Sequence, residues 1–581
     1  MSTFAAPDIE LERREDGSLV LSSRTPLPEP EPSITAALRR RAGEHPDRPL
    51  ATHRGATLTY GEAEEKANTL AAAFLELGLG PEHPIMILSG NSLEHLLVSL
   101  GAYAAGVPVM PISVAYSLMS SDHARLRAIA ELTEPGLLFA DDAEAFGPAL
   151  DALAGREVLV ARGDRDGARR LDELLTAHSP LDGEPAPAAD TVAKLLFTSG
   201  STGVPKGVIN THRMLCSNQA MLQAIWPFLA DEPPVLVDWL PWSHTFGGNH
   251  NLHLALFNGG TIHIDDGRPA PPLFPKTLEA LGRVPPTLYF NVPAGYALLA
   301  PALESDPELA GRFFGRLRFM FYAAAALPPA LADRMRELAR RHADHEVPLT
   351  SSWGTTETAP CATSAHFPDS PTGCIGVPIP GCVVKLAPVG DRLEIRVHGP
   401  NVTPGYYRAP EATAQAFDED GFYRSGDAVT LIDPDDPNRG MAFDGRIAEN
   451  FKLLTGTWVA VGALRTRLLS SAGVLSDAVI AGQDAEYAAA LAWVNPAEAS
   501  REPAALREHL AGALATLNAQ AGSAGRIERL LLLDTPPSLD AGEITDKGYL
   551  NQRRCLECRA ADVARLYADP PDPEVITPAP A

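Results

Sequence analysis

The sequence is poor in the features of a membrane, secreted or nucleic-acid-binding protein. No stretch of about 18 or more apolar residues occurs, and the opening MSTFAAPDIELERRED holds no apolar core of signal-peptide length, so a soluble cytoplasmic protein without membrane insertion is expected. Six cysteines in 581 residues are too few for a disulfide framework. Cys216, Cys361, Cys374 and Cys382 are scattered, and Cys555 and Cys558 form a lone C-x-x-C with no second pair and no nearby histidines, which favours reduced thiols over a zinc or redox site. Positive charge is also in deficit. Lys plus Arg number 48 against 73 Asp plus Glu, and a net charge of −25 repels a nucleic-acid backbone or an anionic membrane at long range. A few local cations and backbone N–H groups can still hold a phosphate in that field. The chain has neither a strand-linked G-x-G-x-x-G nor an H-E-x-x-H, which disfavours a nicotinamide dehydrogenase and a zinc hydrolase.

What is present is the composition of a conventional globular protein, with 45% hydrophobic and 21% charged residues. A chain of 61.8 kDa exceeds what one core serves, so at least two domains are expected. Residues 25–34, TPLPEPEPSI, read as an extended lead-in, with regular structure starting at its end in a helix near Ser33. Ala63, Ala67, Leu70, Ala71, Phe74 and Leu77 recur at helical spacing, with Glu62 four residues before Lys66. PIMILSG then reads as a buried strand, SLEHLLVSLGAYAAG as a helix closed by Gly106, and VPVMPI as a second buried strand, which predicts a parallel sheet. This alternation continues past residue 300. The turn-rich DPDDPNRG at 433–440 precedes a shorter mixed segment. We therefore expect an α/β fold: a large multi-layer N-terminal domain over 1–446 with mixed and parallel sheets, and a smaller mobile α+β domain over 447–568. The acidic, Pro-rich tail 569–581 is expected to be disordered.

The chemistry concentrates in a few segments. Thr198-Ser199-Gly200-Ser201-Thr202-Gly203-Val204-Pro205-Lys206-Gly207 follows the apolar strand AKLLF. Its glycines permit close backbone approach, its N–H and hydroxyl groups donate, and Lys206 adds a mobile positive charge, a combination suited to phosphate. It is not the Walker pattern, because Lys206 lies between Pro205 and Gly207. Glu357 is a hard oxygen ligand suited to Mg²⁺, and Thr356 can hydrogen-bond a phosphate or carboxylate; read alone, Thr-Thr-Glu is more often a surface turn or helix cap. Asp427 is a carboxylate that can accept hydrogen bonds from two ligand hydroxyls.

TSGSTGVPKG, AAAAL at 323–327, WGTTE at 353–357, YRSGD at 423–427, Gly445-Arg446 and GEITDKG at 542–548 occur in one order. Together they resemble the adenylate-forming superfamily of acyl-CoA synthetases, peptide-synthetase adenylation domains and luciferases, over about residues 35 to 565. The resemblance implies ATP and CoA as co-substrates, Mg²⁺ as cofactor and a small carboxylic acid as partner, with the chain a monomer or homodimer. It assigns ATP or AMP binding to Thr198, Ser199, Gly200, Ser201, Thr202, Gly203, Lys206, Ala324, Ala325, Ala326, Trp353, Gly354, Thr355, Thr356, Asp427, Arg446 and Lys547. Catalysis falls to Lys547, Thr356, Glu357 and Lys206, with Glu357 the metal ligand.

The small domain is implied to rotate after Arg446. Ala448 stands where many relatives have Asp or Lys, with Glu449 next, so the hinge is open between the two. GRIAENFKLLTGTWVAVGALR with GEITDKGYLNQR is similar to bacterial feruloyl-CoA synthetases and other aryl-CoA ligases, which implies a hydroxycinnamate such as ferulate. Gly456, Thr457 and Trp458 are then CoA-binding candidates, Trp458 lining a thiol tunnel or packing at a domain interface. Candidates for the acid pocket are Trp239, Trp242, Ser243, His244, Thr245, Phe246 and Gly247, with Tyr289, Asn291, Tyr322 and Trp353 as aromatic walls and polar handles. His244 fits a pocket gate or an ordinary packed histidine. The competing readings are an adenylating enzyme that loads a carrier protein with a fatty or aryl acid, and a non-catalytic nucleotide sensor. No carrier segment is visible after residue 565, which leads us to expect free CoA.

Lys547, expected to bridge the acyl carboxylate and the α-phosphate, gives the sharpest test. Lys547→Ala should nearly abolish acid-dependent pyrophosphate exchange while sparing thioester formation from supplied acyl-AMP. Exchange at the wild-type rate would remove Lys547 from the mechanism.

Overall fold

The structure, a computed structural model, describes residues 2–181, 183, 187–198, 205–270, 272–367, 370–495, 498, 500–519, 521–522, 525–545 and 548–580. Among these the strands form an 11-stranded, a 7-stranded and a 4-stranded sheet, with a 2-stranded and a 3-stranded sheet nearer the C-terminus. The fold is mixed α/β, with a large N-terminal and a smaller C-terminal domain.

The expectation that regular structure starts after the Pro-rich lead-in is corrected. Ile9–Arg13 and Leu19–Ser23 form a hairpin, and the second strand pairs with Val383–Val389 at the edge of the 11-stranded sheet. Ser33 caps the helix Ile34–Glu44 by accepting from the Ala36 N–H. Thr59 and Glu62 form a capping box at the start of Tyr60–Glu76, so Glu62 is used on the helix end rather than on Lys66. Strand Ile85–Leu88, helix Leu93–Ala104 and strand Val109–Pro111 follow as the sequence predicts.

Strict alternation explains the apolar runs of the 7-stranded sheet. Ile85, Ile87, Leu137 and Phe139 face the large central core, whereas Met86, Leu88, Leu138 and Ala140 face a second core on the other side. Both faces are covered, so every position in these strands is apolar. The sheet is parallel except at one edge, where Lys206–Thr211 runs antiparallel to Val192–Thr198. In the 11-stranded sheet, Leu288–Asn291, Phe319–Tyr322 and Leu349–Gly354 are parallel, and the rest is antiparallel out to the N-terminal hairpin.

The last strand of that sheet is Met441–Arg446, followed by a helical turn at Ile447–Glu449 and the hairpin Phe451–Lys452 with Trp458–Val459. The C-terminal strands Leu475–Ala481, Ala489–Val494 and Arg529–Leu532 carry a core on each face, again by alternation. The disordered tail is a second correction. Ile576 exchanges backbone hydrogen bonds with Leu530, Arg507 donates to the carbonyls of Pro573, Glu574 and Val575, and Arg565 pairs with Asp572 and Glu574. Val575 and Ile576 are buried, and the two arginines offset the acidic character that reads as disorder. Among the described residues no helix is long and apolar enough to cross a membrane, and no cluster of metal-ligating side chains is found.

Helices Tyr60–Glu76 and Leu93–Ala104 meet where Gly101 faces Leu70, and a Cβ on Gly101 would lie 2.5 Å from the Leu70 Cβ. Gly43, in the helix Ile34–Glu44, has nothing within 4 Å of such an atom. Gly101→Ala should therefore destabilise by about 1–3 kcal/mol, through overpacking that outweighs the gain in helix propensity. Gly43→Ala should be neutral or stabilising by up to about 1 kcal/mol, both read from chemical denaturation.

Candidate functional site

The Gly/Ser-rich loop is suspended from an antiparallel hairpin. Thr198 and Lys206 are directly opposed in the register of Val192–Thr198 with Lys206–Thr211, so the chain leaves and returns at one point. Ser199, Gly200, Ser201, Thr202 and Gly203 lie outside the described residues. On the other side of Lys206–Thr211 runs the segment 403–407, joined by Ile209 N to Gly405 O at 3.2 Å and Tyr407 N to Gly207 O at 2.8 Å. Thr403 N donates to the Glu357 carbonyl at 2.8 Å, and the Tyr406 hydroxyl donates to Glu357 Oε1 at 3.1 Å. The Lys206 ammonium stands 5.2 Å from the centre of the Tyr406 ring. A lysine, a buried carboxylate and a tyrosine thus converge beside the loop. Burial and the neighbouring Glu357 carboxylate push the Tyr406 phenol up, so it stays a donor. Thr356 is buried in the short turn Thr356–Thr358, and Thr355 N donates to Thr358 Oγ1 at 2.9 Å.

Asp427 is the second focus. It lies opposite Arg446 in the register of Tyr423–Leu431 with Met441–Arg446 and is only 4% exposed. Its Oδ2 accepts from Trp353 Nε1 at 2.9 Å. Arg446 Nε is 3.0 Å from Oδ1, but this ion pair is not aligned as a hydrogen bond, and Oδ1 keeps unfilled accepting capacity. Burial pushes the Asp427 carboxyl up, against the pull of Arg446. Burial wins because the Arg446 side chain is 56% exposed and its charge is screened. A buried carboxylate with an unfilled oxygen suits a ligand hydroxyl. Ala324, Ala325 and Ala326 follow Phe319–Tyr322 as an exposed bend rather than a helix, with Ala324 in the left-handed region at φ 72°. Gly354 ends the neighbouring strand. Asn291, the alanine run and Trp353 therefore leave the same end of three parallel strands, where α/β sheets place their ligands.

The acid-pocket candidates lie after the strand Val235–Asp238 and in the π-type turn Thr245–Asn251. Trp242 is buried, with its ring edge-on to His95 at 5.3 Å. His244 is half-buried; its N–H donates to Pro241 O, and its carbonyl accepts from Gly248 N. Phe246 is half-buried against His250, Phe290 and Phe321. Gly247 packs so closely that a Cβ would lie 2.3 Å from the Leu240 carbonyl oxygen. Trp239 Nε1 donates to Asn291 Oδ1 at 3.3 Å.

Tyr289 and Tyr322 do not join this wall. Strand alternation turns them to the face opposite Phe290 and Phe321. Tyr289 is fully buried against Tyr296 and Phe313 and accepts from Asn291 Nδ2, while the Tyr322 hydroxyl accepts from Gly373 N. Two residues not anticipated from sequence stand out here. Lys194 Nζ, fully enclosed, donates to Gly248 O at 3.2 Å and to Asn249 Oδ1 at 3.0 Å, fastening the π-type turn, and burial pushes it down to about 7. Asn249 in turn donates to Thr245 Oγ1 and Asn210 Oδ1.

Lys547 lies outside the described residues. The segments flanking it pair with each other: Asn551 N donates to Glu543 O, and Thr545 N to Tyr549 O, both at 2.8 Å. Ala448 and Glu449 fall in the turn after Arg446, and burial pushes the Glu449 carboxyl up while Arg446 and Arg465 oppose it. Gly456 takes the left-handed turn position at φ 80° beside Thr457. Trp458 is 40% exposed, with the Lys452 ammonium 5.0 Å from its ring centre, so in this arrangement it is a surface residue rather than a packed interface tryptophan.

A family model described as AMP-binding enzyme matches residues 38–407, and another described as AMP-binding enzyme C-terminal domain matches residues 450–570. A sulfoacetate–CoA ligase of Cupriavidus necator is 30% identical over 532 residues, covering 87% of this chain and 98% of its own length. A feruloyl-CoA synthase of an Amycolatopsis species is 28% identical over 410 residues, 68% of this chain and 75% of the relative. The crystal structure of an anthranilate CoA ligase in complex with anthranoyl-AMP superposes with a TM-score of 0.75 at 19% identity, covering 93% of this chain and 99% of that one, a likeness of fold. With one family model spanning most of the large domain and a relative matched over nearly its whole length, this chain belongs to the AMP-binding enzymes of the adenylate-forming superfamily.

Proposed function

We propose that the protein is an AMP-forming acid–CoA ligase that activates an aromatic acid, a hydroxycinnamate such as ferulate, as its adenylate and passes the acyl group to CoA. The observation that carries this reading is the convergence of Lys206, Tyr406 and Glu357 beside the Gly/Ser-rich loop, together with the unfilled oxygen of Asp427.

In the first half-reaction an oxygen of the substrate carboxylate attacks the α-phosphorus of ATP. The bond to the β-phosphate oxygen breaks and pyrophosphate leaves with its charge. Lys206 lies beside the loop and offsets the charge carried by the leaving phosphates, while Asp427 orients the nucleotide by accepting from its ribose. Glu357 keeps one oxygen on Tyr406 and has the donor chemistry that would hold Mg²⁺. When bound, that ion supplies charge neutralisation at the phosphates. Lys547 is assigned to the carboxylate and α-phosphate. In the second half-reaction the CoA sulfur attacks the acyl carbon and the bond to AMP breaks.

These steps need different groups at one centre, so the proposal includes rotation of residues 447–568 against 1–446 about Ala448 and Glu449. Trp458, Thr457 and Gly456 lie on an exposed hairpin suited to enter the cleft in the second arrangement. The aromatic preference is supported by Phe246 standing half-buried before Phe290 and Phe321, and by the feruloyl-CoA synthase and anthranilate CoA ligase among the relatives.

The purified protein with ATP, Mg²⁺ and CoA, given ferulate, benzoate, octanoate and sulfoacetate in turn, should yield AMP and thioesters fastest with ferulate by mass detection. Equal or faster turnover of octanoate or sulfoacetate would overturn the aryl preference. Asp427 supplies a second test. Its raised carboxyl should take up a proton above the ordinary aspartate range as pH falls, losing the charge that binds ribose. The KM for ATP should therefore rise on acidification from neutral. Asp427→Asn should raise it about 10-fold at neutral pH and flatten the profile.

A further inference from the structure

Asp540 makes a contact between the two domains that the reading above does not use. The carboxylate reaches the loop ahead of the helix Ala124–Thr133, accepting from Ser120 Oγ at 2.7 Å, Ser121 Oγ at 2.8 Å and Ser121 N at 3.1 Å. Hydrogen bonds from Ser120 and Ser121 hold it below the usual carboxylate range, so it docks as an anion. Its neighbours reinforce the contact. Leu539 packs on the core formed by Met86, Leu138 and Leu126, and Gly542 lies against Arg125, whose Nη2 would be 2.7 Å from an added Cβ.

The loop bearing Asp540 is itself rigidly tied to the small domain. Glu543 N donates to Ser538 O, Ser538 N donates back to Glu543 Oε2, and buried Glu543 pairs with Arg559 at 2.6 Å. From Glu543 the chain enters the hairpin whose strands pair Ile544 with Leu550, the segment that carries Lys547 in sequence. One end of this lever is fixed to the small domain by Glu543–Arg559 and the other to the large domain by Asp540. Any rotation of the small domain away from this arrangement must break the three bonds to Ser120 and Ser121.

We propose that Asp540 is a docking latch: a positioning residue that holds the small domain in its adenylate-forming orientation and is released for thioester formation. The proposal rests on the two-half-reaction reading. Because the bonds are surface-exposed and exchange with water, each is worth little alone, and together they bias rather than lock the equilibrium.

The test separates the half-reactions in the full-length protein, using the acid that supports the fastest pyrophosphate exchange. Asp540→Ala should slow that exchange about 3- to 10-fold. CoA-dependent consumption of the supplied acyl-adenylate, and the melting temperature, should stay at wild-type values. Ser120→Ala combined with Ser121→Ala should reproduce the defect from the other side of the interface, and adding both to Asp540→Ala should deepen it by less than about twofold. Unchanged exchange in Asp540→Ala, an equal fall in both half-reactions, or multiplying defects would each overturn the latch. Wild-type protein without acid-dependent exchange on any acid of the panel would instead overturn the ligase reading, and the latch with it.

Discussion

Backbone pairing between Lys206–Thr211 and the segment 403–407 is the constraint on which the proposed phosphate side of the site depends. None of Lys206, Glu357 and Tyr406 is near the others in sequence. They meet because Thr403, at the start of that segment, takes the Glu357 carbonyl, and because Tyr406 pairs with Val208 one turn of the pleat from Lys206. A hydrogen bond to a carboxylate is worth about 1.5–3 kcal/mol when shielded, so the Tyr406–Glu357 bond fixes that side chain as well as its backbone. Rigid backbone placement matters more here than the number of cations. In a chain of net charge −25 an anionic substrate is attracted only by groups held within hydrogen-bonding reach, since the general field repels it.

Much of the fold is legible in the sequence where information is local. The helix Tyr60–Glu76 announces itself by period and by the Thr59–Glu62 cap, and the strands Ile85–Leu88 and Val109–Pro111 by short apolar runs. What could not be read is pairing at long range. The hairpin Ile9–Arg13 with Leu19–Ser23 gains its place from Val383–Val389, far along the chain, and the tail is pinned by Leu530 and Arg507. Composition judges the tail by its prolines and acids, whereas buried Val575 and Ile576 and two arginines decide its structure.

The candidate site divides in the same way. Residues carried by ordered motifs, such as Lys206, Trp353, Asp427 and Arg446, fall around one end of the sheets, because a motif encodes a backbone shape as well as side chains. The acid pocket has no such motif. Tyr289 and Tyr322 look like pocket aromatics in sequence, but the register of their strands turns them away from Phe246, Phe290 and Phe321. One residue of register separates the two faces, and no property of a tyrosine reveals which it takes. Lys194 was equally hidden: an apolar strand offers no hint that one lysine within it is spent on the carbonyl of Gly248.

Lys194 also shows how the pocket can be shaped without being touched. Burying an ammonium with only neutral acceptors costs several kcal/mol, which is why burial pushes its pKa down to about 7. An amine donates to Gly248 O and Asn249 Oδ1 whether neutral or protonated, so the turn stays fastened in either state, more tightly when charged. The turn it fastens has the wide π-type geometry, within which Gly247 presses on the Leu240 carbonyl and Phe246 packs on His250, Phe290 and Phe321. The cost of the buried amine is thus borne beneath the proposed acid pocket, where a fixed turn would favour selectivity, while the exposed, weakly held contacts lie between the two domains, where the proposed rotation would break them.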